Sequence, residues 1–213
     1  MSRINEFTEA GRVEIKEPDF RPFELLQEGG QGTDAQKRMQ DSYEQGRLAL
    51  QAGDTKKAEK LFKAGLDAAK PLSKEAHLLN NAAGLACENG KDWAEAQKYY
   101  REALKCSKAL IGNRDGSTIA SDLSDIARMD GRQGKLEEAD KGFREAERMF
   151  EKFDPKDLPV RYRAAFVRSY TEHIHLLYVK GDPEGAAEVS MKGDLLRRLL
   201  EQPKAAPKRK KET

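Results

Sequence analysis

One phrase recurs along this chain and limits what it can fold into. A small residue is followed seven residues later by a tight-turn signal, five further on by an alanine and four further on by an aromatic. The copies read Gly46 … Gly53-Asp54 … Ala58 … Phe62, then Gly84 … Lys91-Asp92 … Ala96 … Tyr100, then Ala127 … Gly134-Lys135 … Ala139 … Phe143. A weaker fourth reads Gly181-Asp182 … Ala186, with Ser190 replacing the aromatic and Gly193 replacing a second alanine. An internal phrase of this kind marks a repeat array, in which each unit buries its apolar face against the next.

The units read as helix, turn, helix. Good helix formers dominate from about residue 35 to 202, and strand signals are sparse. Gly53 and Gly134 supply the positive φ that ends a first helix. Gly46, Gly84 and Ala127 let two helices touch, and the alanines are small where the neighbouring helix crosses. Phe62, Tyr100 and Phe143 fill the gap between successive hairpins. Apolar residues make up 38% and charged residues 36%, which suits a small-cored array. The key alanines lie 38, 43 and 47 residues apart. The excess falls after each second helix, at Lys70-Pro71-Leu72, at residues 112–116 and at Asp154-Pro155-Lys156. Ser117 or Thr118, and Asp157, are the expected caps of the helices that follow.

These copies resemble tetratricopeptide (TPR) repeats over roughly residues 38–200, with a long period like that of kinesin light chains. The resemblance implies an all-α fold. It would be a right-handed superhelix of stacked antiparallel helix hairpins, with three clear repeats and a degenerate or capping fourth pair. It implies a binding protein rather than an enzyme, an adaptor or scaffold holding a partner protein or peptide in a concave groove lined by the first helix of each hairpin. Carried over by position, the partner-facing residues are Tyr43, Arg47 and Leu50, then Asn81 and Glu88, then Arg128 and Arg132, and finally Arg168, Thr171, His175 and Tyr178. Family members that clamp a carboxyl terminus use lysines and an asparagine pair. The matching sites here hold Tyr43, Arg47, Ala82, Ser121 and Asp125, so that ligand is not expected. The arginines favour an acidic or acidic-aromatic segment.

Two flanks differ from the repeat domain of residues 36–202. Residues 1–35 are net acidic, with Phe7, Phe20 and Phe23 among prolines and carboxylates, and read as an extended arm that docks on a partner or folds back on the groove. Residues 203–213 end in Lys208-Arg209-Lys210-Lys211 and read as a disordered basic tail. That tail supplies the alternative reading, a nucleic-acid-associated accessory protein. A third is a subunit that self-assembles into a homo-oligomer through its repeats.

Nothing in the sequence points to catalysis, a metal or a cofactor. His173 and His175 stand at i, i+2 and diverge on a helix. Cys87 and Cys106 form no Cys-x-x-Cys motif, and Gly29-Gly30-Gln31-Gly32 lacks the lysine and strand of a phosphate loop. Reduced cysteines, with neither a leader-like apolar core nor a membrane span, make the cytoplasm the expected location.

Overall fold

The computed structural model describes residues 33–111, 116–153 and 160–201. Most of the acidic arm, the basic tail and the expected cap Asp157 lie outside these residues. Every described element is a helix: α1 (Asp34–Gln51), α2 (Thr55–Ala68), α3 (Lys74–Asn89), α4 (Trp93–Ile111), α5 (Gly116–Arg132), α6 (Leu136–Phe150), α7 (Val160–Lys180) and α8 (Pro183–Glu201). Thr33 caps α1 through a reciprocal box with Gln36, so the first helix starts two residues before the expected boundary. α5 begins at Gly116, which puts Ser117 and Thr118 inside its first turn rather than at a cap.

The four odd–even pairs share one turn. The amide of Asp54 donates to Ala49, Asp92 to Cys87, Lys135 to Asp130 and Asp182 to Leu177, each at 2.9 Å. A second bond from the preceding amide to the carbonyl three residues back completes a Schellman motif in each. The residue at the bend has positive φ every time: Gly53, Gly134 and Gly181 near +80°, and Lys91 at +62°. Asp54, Asp92 and Asp182 then accept from a backbone amide three residues on, capping the even helix. Lys135 makes no such bond. The fourth pair, whose sequence left a complete hairpin open, is a full hairpin with the same turn.

Small-against-aromatic packing closes the first three hairpins. A Cβ on Gly46 would stand 2.5 Å from the Phe62 ring, and one on Gly84 2.7 Å from the Tyr100 ring. In the third hairpin Ala127 already carries its Cβ, and the space is made at Gly142, where an added Cβ would meet Ala127 at 2.8 Å. Ala58, Ala96, Ala139 and Ala186 are fully buried at the crossings. In the fourth hairpin the two partners exchange size. Ile174 occupies the small position and packs on the cluster around Phe150, Phe166 and Tyr170, while Ser190 stands at the aromatic one.

Successive hairpins meet through α2 and α3, α4 and α5, and α6 and α7. Odd helices also pack on each other at α1/α3 and α5/α7. The exception is the middle of that layer: among the described residues no Cα of α3 lies within 8 Å of a Cα of α5.

Candidate functional site

All eleven residues carried over as partner-facing lie on the odd helices. The opening between α3 and α5 decides what they do. α5 carries Asp122, Asp125, Arg128 and Arg132 at helical spacing, so one stripe of charge faces the opening. Arg128 is only 4% exposed. It is ion-paired with Glu88 of α3 and with Asp125 at 2.6 Å, and its guanidinium lies 5.9 Å from the centre of the Tyr100 ring. The Tyr100 hydroxyl donates to Glu88 at 2.8 Å. Arg168 of α7 donates to Asp125 at 2.8 Å, and Arg132 reaches Glu172 at 3.4 Å. One chain of charge-assisted bonds thus crosses α3, α4, α5 and α7.

A second centre lies one turn away. Asp122 accepts from Ser107 of α4, from Asn81 of α3 at 3.4 Å, and faces His77 Nε2 at 3.1 Å. Serine, histidine and aspartate meet here in an order unsuited to nucleophilic attack, because Ser107 bonds to the carboxylate rather than to the imidazole and is buried.

Burial sets the electrostatics. It pushes the Asp125 carboxyl up to about 6, with the Arg168 guanidinium opposing. It drives Arg128 well below the ordinary guanidinium range, helped by the neighbouring charges of Arg168 and Arg132 and opposed by Glu172. Arg132 moves down by burial, with Glu172 opposing. Burial also raises the Tyr100 phenol, which keeps it a donor to Glu88.

The arginines that sequence reading offered to an acidic ligand are therefore largely committed elsewhere. Arg128, Arg132 and Arg168 bind Glu88, Glu172 and Asp125, and the first two are buried. Asn81 and Glu88 belong to the same bonded centres. The structure leaves the ends of the face open. Tyr43, Arg47 and Leu50 are partly exposed on α1, with Arg47 reaching Glu44 at 3.3 Å. At the other end Thr171 is exposed, His175 half-buried and Tyr178 61% exposed. Sequence reading missed Asp122, Asp125 and Glu172 as partners. The available signal was four charges on one stripe of α5, of which Asp125, Arg128 and Arg132 meet charged residues on the flanking odd helices and Asp122 meets His77 and Asn81.

Away from this face, His173 is fully buried between α6 and α7, with Glu147 at 2.6 Å and Asp140 at 3.0 Å on its two ring nitrogens and Phe143 stacked beside it. Burial works against ionisation of Asp140, but hydrogen bonds from Lys180 and His173 and the charge of Arg144 outweigh it and hold the carboxyl down to about 2. Cys87 and Cys106 are buried free thiols, and burial followed by the Glu59 charge pushes Cys87 up to about 12. Trp93 is partly buried against Cys87, Ala96, Tyr100 and Met129. Among the described residues no group of three or more His, Cys, Asp or Glu side chains is placed to hold a metal, and no helix is long and apolar enough to cross a membrane.

No protein-family model and no curated protein matches the chain. Among solved structures it is similar to the crystal structure of BtubC (BKLC) from P. vanneervenii, with a TM-score of 0.70 and 14% identity over 87% of this chain and 73% of that one. The likeness is one of fold.

Proposed function

We propose that the chain is a protein–protein interaction adaptor. In this reading its hairpins wind as a right-handed TPR-type superhelix and hold a partner segment against the odd-helix face. The observation that carries it is the contrast along that face. A buried ionic centre fixes the positions of α3, α5 and α7, while aromatic and polar residues stay accessible at either end. A surface held rigid before binding loses little entropy on association. Tyrosines are efficient anchors on such a surface because they bring large amphipathic area with few rotors. With Arg128 and Arg132 held internally, the ligand reads as a mixed aromatic and polar segment spanning Tyr43 and Arg47 at one end and Thr171 and Tyr178 at the other. The cytoplasm remains the proposed location.

Peptides selected from a displayed library on the wild-type chain provide the test. Tyr43→Ala combined with Tyr178→Ala is expected to weaken a selected peptide at least tenfold, and Tyr99→Phe on an even helix to leave it unchanged. Selected peptides indifferent to the tyrosine pair would overturn the reading.

A further inference from the structure

The arginines of the ionic centre are not held alike. Arg128 bridges two helices, with Glu88 on one terminal nitrogen and Asp125 on the other, and is 4% exposed. Arg132 is buried and meets Glu172. Arg168 stands at the rim, with its side chain 27% exposed. Among the described residues its bond runs from Nη2 to Asp125 Oδ1 at 2.8 Å, and that same oxygen accepts from Arg128 at 2.6 Å. The Arg168 Nε is buried and makes no hydrogen bond among the described residues. A planar fork of N–H donors is thus tethered through one shared oxygen.

The tether depends on charge. Among the described residues Arg128, Arg132 and Arg168 meet Glu88, Asp125 and Glu172, so the centre balances only while Asp125 is ionised. Asp125 is the member whose charge is least secure. It is buried, and burial disfavours its ionised form and pushes the carboxyl up to about 6. The charged and titratable groups around it are Asp122 and Arg128 on α5, His77 and Glu88 on α3, Tyr100 on α4, and Arg168 and Glu172 on α7. Once Asp125 takes up a proton, Arg128 keeps Glu88, whereas Arg168 loses the charge of its bonded carboxylate. The centre then holds a positive charge in excess, which is unfavourable away from water until an anion compensates it.

We propose that proton uptake by Asp125 converts Arg168 into an oxyanion site on the odd-helix face. The guanidinium leaves the shared oxygen, and its fork, Nε included, takes an oxyanion in paired charge-assisted bonds. The ligand is a free oxyanion of the sulfate type or the carboxylate of a bound segment, which share this chemistry. Glu172, four residues on along α7, is the internal competitor for the freed guanidinium. For a carboxyl at about 6 the protonated share rises about thirtyfold between pH 7.5 and pH 5, and apparent affinity rises with the competent share.

Nuclear magnetic resonance titration of the full chain with sodium sulfate at constant ionic strength tests this, because sulfate keeps its charge over this range. Sulfate is expected to shift the Arg168 Nε–Hε signal and the neighbouring α7 amides, and to bind at least tenfold more tightly at pH 5 than at pH 7.5. Asp125→Asn, which keeps the shape of the protonated acid, is expected to bind at both pH values as the wild type does at pH 5. Asp125→Ser removes the same charge should Asp125→Asn disturb folding. Arg168→Gln is expected to bind at neither pH. A capped tri-glutamate peptide separates the two sources: tighter binding than sulfate assigns the site to a segment carboxylate, weaker binding to a free ion. Affinity indifferent to pH, a pH dependence that survives removal of the Asp125 charge, or binding kept by Arg168→Gln would each overturn the proposal. So would no binding at pH 5, the result expected if Arg168 turns to Glu172 instead. The sulfate titration does not require the groove to take a peptide, so its failure leaves the adaptor reading to its own test.

Discussion

Between α1 and α2 the absence of a side chain at Gly46 lets the Phe62 ring lie against the backbone, and the contact is apolar throughout. Between α3 and α5 the backbones stay apart, and carboxylates and guanidiniums fill the space. The first contact follows the hydrophobic rule, with burial of a phenylalanine worth about 1.5–3 kcal/mol. The second costs desolvation of several charges and recovers it only because each charge has its partner. The apolar hairpin interiors supply stability, while the ionic seam fixes how the second, third and fourth hairpins sit together.

The comparison is broken most severely at Arg128. Arg128→Ala removes a partner from the buried Asp125 and the half-buried Glu88, and is expected to cost about 3–5 kcal/mol in urea denaturation. Replacing the cluster together, with Glu88→Leu, Asp125→Leu and Arg128→Met, is expected to recover most of that stability. If the triple variant is as unstable as the single one, the division of labour fails. By contrast Arg47→Ala, at an exposed pair, is expected to change stability by less than about 0.5 kcal/mol.

Gly46→Ala probes the apolar side. The new Cβ would stand 2.5 Å from a buried ring. Overpacking of about 1–3 kcal/mol outweighs a helix-propensity gain of up to about 1 kcal/mol. The expected outcome is a lower melting temperature, and a rise would show that the ring yields easily.

Acid sharpens the comparison. The Asp140 carboxyl is held down to about 2 in the fold against an ordinary 3.8. Its stabilisation is therefore complete above about pH 4 and is lost as pH falls through 2, an effect on the order of 1–2 kcal/mol. Asp140→Asn is expected to flatten the fall of the urea midpoint over that range. The carboxyl of Asp125, pushed up to about 6, has the opposite sign: it favours the fold as pH drops from 7 toward 4.

The smallest effect belongs to the second turn. Lys91 holds φ at +62°, where its counterparts are glycines. Lys91→Gly is expected to stabilise by about 0.5–1 kcal/mol in the same assay. A loss would show that the lysine side chain compensates for the backbone.

The hairpin interiors were legible in the sequence because their partners belong to one phrase: Gly46 and Phe62 stand 16 residues apart, as do Gly84 and Tyr100. The turns were legible because glycine and aspartate have one conformational use there. The ionic seam was not, because its partners are separated by 40 residues for Arg132 and Glu172 and by 43 for Arg168 and Asp125. A stripe of arginine on α5 looks the same from sequence whether a ligand or a neighbouring helix supplies the carboxylates. The fourth hairpin was half legible. Its turn repeats the others, but the exchange of large and small between Ile174 and Ser190 hid the packing.

The seam also divides the molecule for unfolding. Glu88, Asp125, Arg128 and Arg168 lock three hairpins into one cooperative block, whereas the first hairpin joins that block through the apolar packing of Phe62 and Leu79. In a linear array each unit opens at the cost of its own interfaces. Amides of α1 and α2 should therefore exchange with deuterium well before those of α5, so that a strain applied along the array would peel it from the amino-terminal end.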